Sequence, residues 1–147
     1  MKKISSQLIA LLALVAGFVA APAMAAKVVD GHHYLVIQVS SDDPAAQTLA
    51  LNNAVNVQKA LGQDNVTIEV VAFGPGLSLL TRQNTQAERV QSLAMQDVTF
   101  SACHNTMKAV EKRTGQTPEL TEGVKIVPAG VVRIMELQQQ GYTYINP

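Results

Sequence analysis

The chain has 147 residues, with 11 Lys+Arg against 11 Asp+Glu, three Phe, three Tyr, no Trp and a single cysteine. This balance leaves no basic stripe, and the few aromatics do not interleave with basic residues, so the composition argues against a nucleic-acid partner. One cysteine excludes an intramolecular disulfide, and the core alone must hold the fold.

Residues 1–25 read as a secretory signal peptide. Lys2 and Lys3 form its positive start, Leu8 to Ala20 its apolar run, and Ala23-Met24-Ala25 its small-x-small cleavage pattern, which predicts a mature chain beginning at Ala26. The apolar run is shorter than the roughly 20 residues that a membrane-spanning helix needs. No cysteine lies near the cleavage site to take a lipid. The sequence therefore predicts export, most simply to a periplasm, with no membrane attachment after cleavage. Residues 26–147 then make one domain with one core. Without Lys2 and Lys3, nine Lys+Arg face eleven Asp+Glu, a formal charge of −2.

Strand and helix signals alternate along that domain. His33 to Val39 is a β-branched apolar run, and it gives way to Ser40-Ser41-Asp42-Asp43-Pro44. That is a strand, a polar turn and a helix start, with Asp43 as N-cap and Pro44 in the first helical position. Capping accounts for the paired carboxylates Asp42 and Asp43. The helix predicted next carries Ala46, Ala50, Ala54, Val57 and Leu61 on one face and stops at Gly62. Its Asn52, Asn53 and Asn56 call for a polar partner such as another subunit. A second strand, Val66 to Phe73, is broken by Gly74-Pro75-Gly76.

Leu77 to Leu80 reads as a short helical turn, and Ala87, Val90 and Ala94 mark a further helical face. Val98 to Ala102 is the third predicted strand, and Asn105 to Thr114 a helix ending at Gly115. Val124 to Val127 makes a fourth strand. Pro128-Ala129-Gly130 leads into a helix over Val131 to Gln140, with Val131, Ile134 and Met135 inward and Gln138-Gln139-Gln140 as its solvated end. Tyr142 to Ile145 completes the series. Parallel strands need crossovers, so this alternation predicts an α/β fold, a three-layer α/β/α sandwich of about five mainly parallel strands. Burial on both faces explains why the first three strands are nearly continuous apolar runs.

In such a sheet, ligands bind beyond the carboxyl ends of the strands. Four loops should meet there: Ser40 to Asp43, Gly74 to Ser78, Cys103 to Thr106 and Pro128 to Gly130. Cys103 thus falls on the functional edge, at the start of a helix whose unsatisfied N–H groups and dipole favour a thiolate. A thiolate attacks disulfides and accepts sulfane sulfur. The competing reading makes Cys103 a small apolar residue that ends a buried strand. Gly74-Pro75-Gly76 lets backbone approach an anion beside Cys103, or serves as a plain tight turn. It lacks the Gly-Lys-Ser/Thr ending of a phosphate loop. His32 and His33 belong to the opposite edge. Cys103, His104 and Met107 form Cys-His-x-x-Met, soft ligands suited to Cu(I), although Met107 also fits a core position. No Ser-His-Asp arrangement or His-Glu-x-x-His motif is visible.

Three segments together resemble the DsrE/DsrF-like family: Phe100-Ser101-Ala102-Cys103-His104-Asn105-Thr106-Met107, Phe73-Gly74-Pro75-Gly76-Leu77, and Val127-Pro128-Ala129-Gly130-Val131-Val132 continuing through Leu137-Gln138 to Gly141-Tyr142. The resemblance spans essentially all of residues 26–147. It implies a flavodoxin-like sandwich that assembles as a homo-oligomer, whether dimer, trimer or hexamer. It also implies a cysteine after the third strand that carries sulfur as a persulfide, a place occupied here by Cys103. A sulfur donor or acceptor protein is the implied partner. Export is incompatible with a cytosolic tRNA-thiolation relay and compatible with periplasmic sulfur handling. The expected site is thus Cys103 flanked by Gly74, Pro75, Gly76, His104 and Asn105, with no cofactor and no resident metal. The alternative is a non-catalytic oligomer that binds a small molecule or copper through Cys103 and Met107.

Overall fold

A computed structural model describes residues 31–147, so the signal peptide and the cleavage expected near Ala25 lie outside the described residues. The elements in chain order are β1 (His33–Val39), α1 (Pro44–Leu61), β2 (Val66–Ala72), a 3₁₀ turn (Gly74–Leu80), α2 (Ala87–Ala94), β3 (Val98–Cys103), α3 (His104–Thr114), β4 (Val124–Val127), α4 (Gly130–Gln139) and β5 (Thr143–Ile145). Local chemistry sets the boundaries. The Asp43 carboxylate accepts from the Ala45 N–H at 2.9 Å and caps α1, with Pro44 in its first turn. Gly115, in the left-handed region at φ 75°, closes α3.

All five strands pair in parallel in the order β4-β3-β2-β1-β5. The chain steps from β1 to β4 in one direction and then returns past β1 to lay down β5. Right-handed crossovers therefore put α1, α2 and α3 on one face of the sheet and α4 alone on the other. Side chains alternate along each strand. Leu35, Ile37, Ile68, Val70, Phe100 and Ala102 face the three-helix side and build the main core with Leu51, Val90 and Met107. Val36 and Val71 face the other way and meet Ile134 and Leu137 of α4 in a second, smaller core.

Two predicted helix faces need correction. Val131 and Met135 of α4 point outward, at 55% and 54% exposed. The buried stripe is Gly130, Ile134 and Leu137, spaced i, i+4, i+7, and the two residues expected inward sit one step around the helix from it. On α1 the buried residues are Gln47, Ala50, Leu51 and Ala54, whereas Ala46 and Val57 are only partly buried and Leu61 is exposed. Gln47 takes an inward place because all its polar atoms are used: it donates to Ser41 O and Ser78 Oγ and accepts from Asn84 Nδ2. Asn52, expected to need an outside partner, accepts from Arg89 of α2 at 2.7 Å within the chain.

Candidate functional site

The chain leaving β3 enters α3 on one side of the sheet, and the chain leaving neighbouring β4 enters α4 on the other. Adjacent strands whose connections part to opposite faces open a crevice at their carboxyl ends, the topological switch point of a parallel sheet. Cys103 ends β3 at that crevice and is the N-cap residue of α3. Pro128 and Ala129 carry the chain from β4 to Gly130, the first residue of α4. The two loops are tied by the Asn105 N–H, which donates to Pro128 O at 3.3 Å.

Gly130 brings the second helix against the cysteine. A Cβ at this position would stand 3.0 Å from Phe73 Cβ and Cδ1 and 3.3 Å from Cys103 Cβ. A Cβ there would need these side chains to give way by a few tenths of an ångström, which glycine avoids. Neither α3 nor α4 has an acidic residue in its first turn, and neither N-cap side chain makes a tight capping bond. Two helix N-termini therefore converge on one sulfur with their N–H groups uncommitted to any carboxylate.

The thiol itself is 5% exposed. Burial pushes its pKa up. The Thr106 hydroxyl and the N–H groups of Gly130, Thr106 and Asn105 outweigh that and hold it below the ordinary thiol value. These donors strengthen as the sulfur ionises, so they favour thiolate over thiol. Thr106 is oriented from behind: its Oγ1 accepts from the Gly74 N–H at 3.0 Å, which leaves the hydroxyl proton free to point at sulfur.

The remaining predicted site residues have distinct places. Gly74 acts on the thiol through Thr106, and Pro75 is exposed at the opening of the 3₁₀ turn. Gly76 is buried for a packing reason, since a Cβ there would fall 2.2 Å from Val39 O and 2.5 Å from Val39 C. His104 and Asn105 are exposed in the first turn of α3, and Asn105 contributes its backbone N–H. His32, expected at the far edge, bonds Thr67 Oγ1 through Nε2 at 2.8 Å at the start of the sheet. Met107 packs in the main core on the three-helix side, and Cys103 abuts Gly130 of α4. Among the described residues no cluster of three or more His, Cys, Asp or Glu is placed to hold a metal ion.

A groove of 380 Å³ opens between the 3₁₀ turn and α3, lined by Gly74, Pro75, Val110 and Arg113 among others, and Cys103 does not line it. Thr106 and Gly130 were legible in the sequence only as members of the loops Cys103 to Thr106 and Pro128 to Gly130. Their role on the sulfur follows from the meeting of α3 and α4.

Fold and site together define a parallel-sheet α/β/α protein with a buried thiol at its switch point. The chain belongs to the DsrE/DsrF-like family, whose profile matches residues 33–147. Among solved structures it is similar to the protein of unknown function MTH1491 from Methanobacterium thermoautotrophicum, with 34% identity and a TM-score of 0.71, over 78% of this chain and 99% of that one. The ychN protein from E. coli shares the fold at 12% identity and a TM-score of 0.63, over 79% of this chain and 99% of that one. No curated protein matches the chain.

Proposed function

We propose that the protein binds and passes on sulfur as a persulfide on Cys103, and that it does so after export to the periplasm. The supporting observation is a buried thiol at the start of α3 with the first turn of α4 packed against it, in surroundings that hold its pKa below the ordinary value. Such a setting stabilises negative charge on the inner sulfur and on a second sulfur attached to it. The step needs no cofactor. The Cys103 thiolate attacks the outer sulfur of a donor such as thiosulfate, and its electron pair forms the new S–S bond. The donor's own S–S pair leaves with sulfite, so charge balances and no oxidant is consumed. Passing the sulfur to an acceptor thiolate reverses the roles. Burial of Cys103 serves this chemistry in an oxidising compartment, because it hinders pairing with bulky thiols.

The reading includes self-association. Val131, Val132 and Met135 of α4 are each more than half exposed, and a second copy of the chain is the occupant proposed for that apolar surface. Intact-mass measurement after incubation with thiosulfate or polysulfide tests the central step. The native chain should gain the mass of one sulfur atom and Cys103→Ser none. Equal gain in both, or none in either, rejects the proposal.

A further inference from the structure

Within the chain, the first turn of α4 buries the bare backbone of Gly130 but little apolar side chain. Val131 and Val132 are 55% and 51% exposed, and the buried apolar contacts of this helix come later, from Ile134 and Leu137. Arg133 is the side chain of this turn that reaches into the sheet. Its guanidinium grips Glu69 of β2 with two bonds, Nε to Oε1 at 2.8 Å and Nη2 to Oε2 at 2.7 Å. Glu69 is 4% exposed, and Ser101 of β3 donates to its Oε1 at 2.7 Å. Helix α4 and two strands thus meet on one buried carboxylate. Buried ion pairs are commonly no more stabilising than apolar side chains of the same size. Their fork geometry, however, fixes distance and rotation together.

We propose that the Glu69–Arg133 pair, completed by Ser101, is a positioning device that sets the first turn of α4, and with it the backbone of Gly130, against Cys103. Gly130 and Arg133 lie three residues apart on the same helical turn. Ser101 and Cys103 lie two apart on one face of β3. The anchor and the thiol therefore share one strip of sheet beneath one turn of helix. The titratable and charged groups on the surrounding elements are Glu69 on β2, His104, Lys108, Glu111, Lys112 and Arg113 on α3, Lys125 on β4, Arg133 and Glu136 on α4, and Tyr142 after it. Burial and nearby N–H and O–H donors shift the thiol, with none of these charges among the causes, so the pair acts through position.

This inference rests on Cys103 being a thiolate site, and one assay separates the two ideas. The rate of Cys103 alkylation is followed against pH in the full chain, for wild type, Glu69→Gln, Arg133→Lys and Ser101→Ala, with circular dichroism to establish folding. The positioning role predicts that the midpoint rises in each folded variant, by about one pH unit where the two-bonded grip is lost. The sign in Glu69→Gln is diagnostic. Removing a nearby negative charge would by Coulomb's law lower the midpoint, whereas loosening α4 raises it. Arg133→Lys keeps the charge and loses the fork, and Ser101→Ala leaves the pair with one bond fewer, so either decides the matter should Glu69→Gln fail to fold. Unmoved midpoints in the folded variants, or a fall in Glu69→Gln, overturn the proposal. A wild-type midpoint at the free-cysteine value would instead reject the underlying thiolate reading.

Discussion

Thr106→Val isolates the hydroxyl at the centre of the site. Threonine and valine share β-branching, so the helical shape of α3 is kept while the hydroxyl is lost both as a donor and as the acceptor of the Gly74 N–H. That hydroxyl stands first among the groups that lower the Cys103 pKa, and it also accepts from the Gly74 N–H at 3.0 Å. A hydrogen bond to a charged group contributes about 1.5–3 kcal/mol, and one pKa unit corresponds to about 1.4 kcal/mol. The substitution should therefore raise the thiol pKa by about one to two units. The loss in rate is smaller than this suggests. For a one-unit rise the thiolate fraction falls about tenfold below the midpoint, while the more basic thiolate is about threefold more nucleophilic. The rate constant at fixed low pH should thus fall about threefold, and the midpoint of the alkylation profile is the sharper readout. Thr106→Ser should retain the wild-type midpoint. A Thr106→Val midpoint that stays within a few tenths of a unit of wild type would refute the hydroxyl's role.

Gly76→Ala should cost on the order of 3 kcal/mol or more in chemical denaturation, because the new Cβ meets the Val39 backbone at 2.2 Å and no flexible side chain can yield; a cost under about 1 kcal/mol would show that the 3₁₀ turn shifts freely. The lowered Cys103 pKa also predicts a pH-dependent stability. The folded thiol ionises at lower pH than the unfolded one, so the unfolded chain binds more protons between the two values. Stability should rise with pH through that window, be complete above the unfolded thiol value of about 8.5, and be lost as pH falls through the folded value. The difference in denaturation free energy between wild type and Cys103→Ser should show this rise, and a flat difference would count against it. Met135→Asp, placing a charge on the exposed face of α4, should lower the oligomeric state seen by light scattering without changing the monomer fold; an unchanged mass would move the proposed contact elsewhere.

What the sequence revealed depended on how local the physics was. Asp43-Pro44 and Gly115 mark helix ends through bonds within a few residues, and both act as read. The place of Cys103 at the carboxyl edge follows from strand-then-helix order alone. The α4 face was misread because periodicity registers apolar residues without telling which surface they cover, and a helix alone on its side of the sheet has two surfaces to offer. The Glu69–Arg133 pair was missed because its partners are 64 residues apart. One signal was present. A carboxylate within Val66-Thr67-Ile68-Glu69-Val70-Val71, a run buried on both faces, cannot stay unpartnered, and a cation on an opposing helix is the usual answer. Gln47 inside α1 carries the same kind of signal for a buried amide.

Cyanolysis of the sulfur-loaded protein tests the central claim most directly. Cyanide removes the outer sulfur of a persulfide as thiocyanate and returns the thiolate. Cys103 is the only cysteine in the chain, so native protein incubated with thiosulfate or polysulfide and then desalted should release one thiocyanate per chain, and Cys103→Ser none. Background release from the native chain, with the cysteine still free to alkylation, would contradict the account.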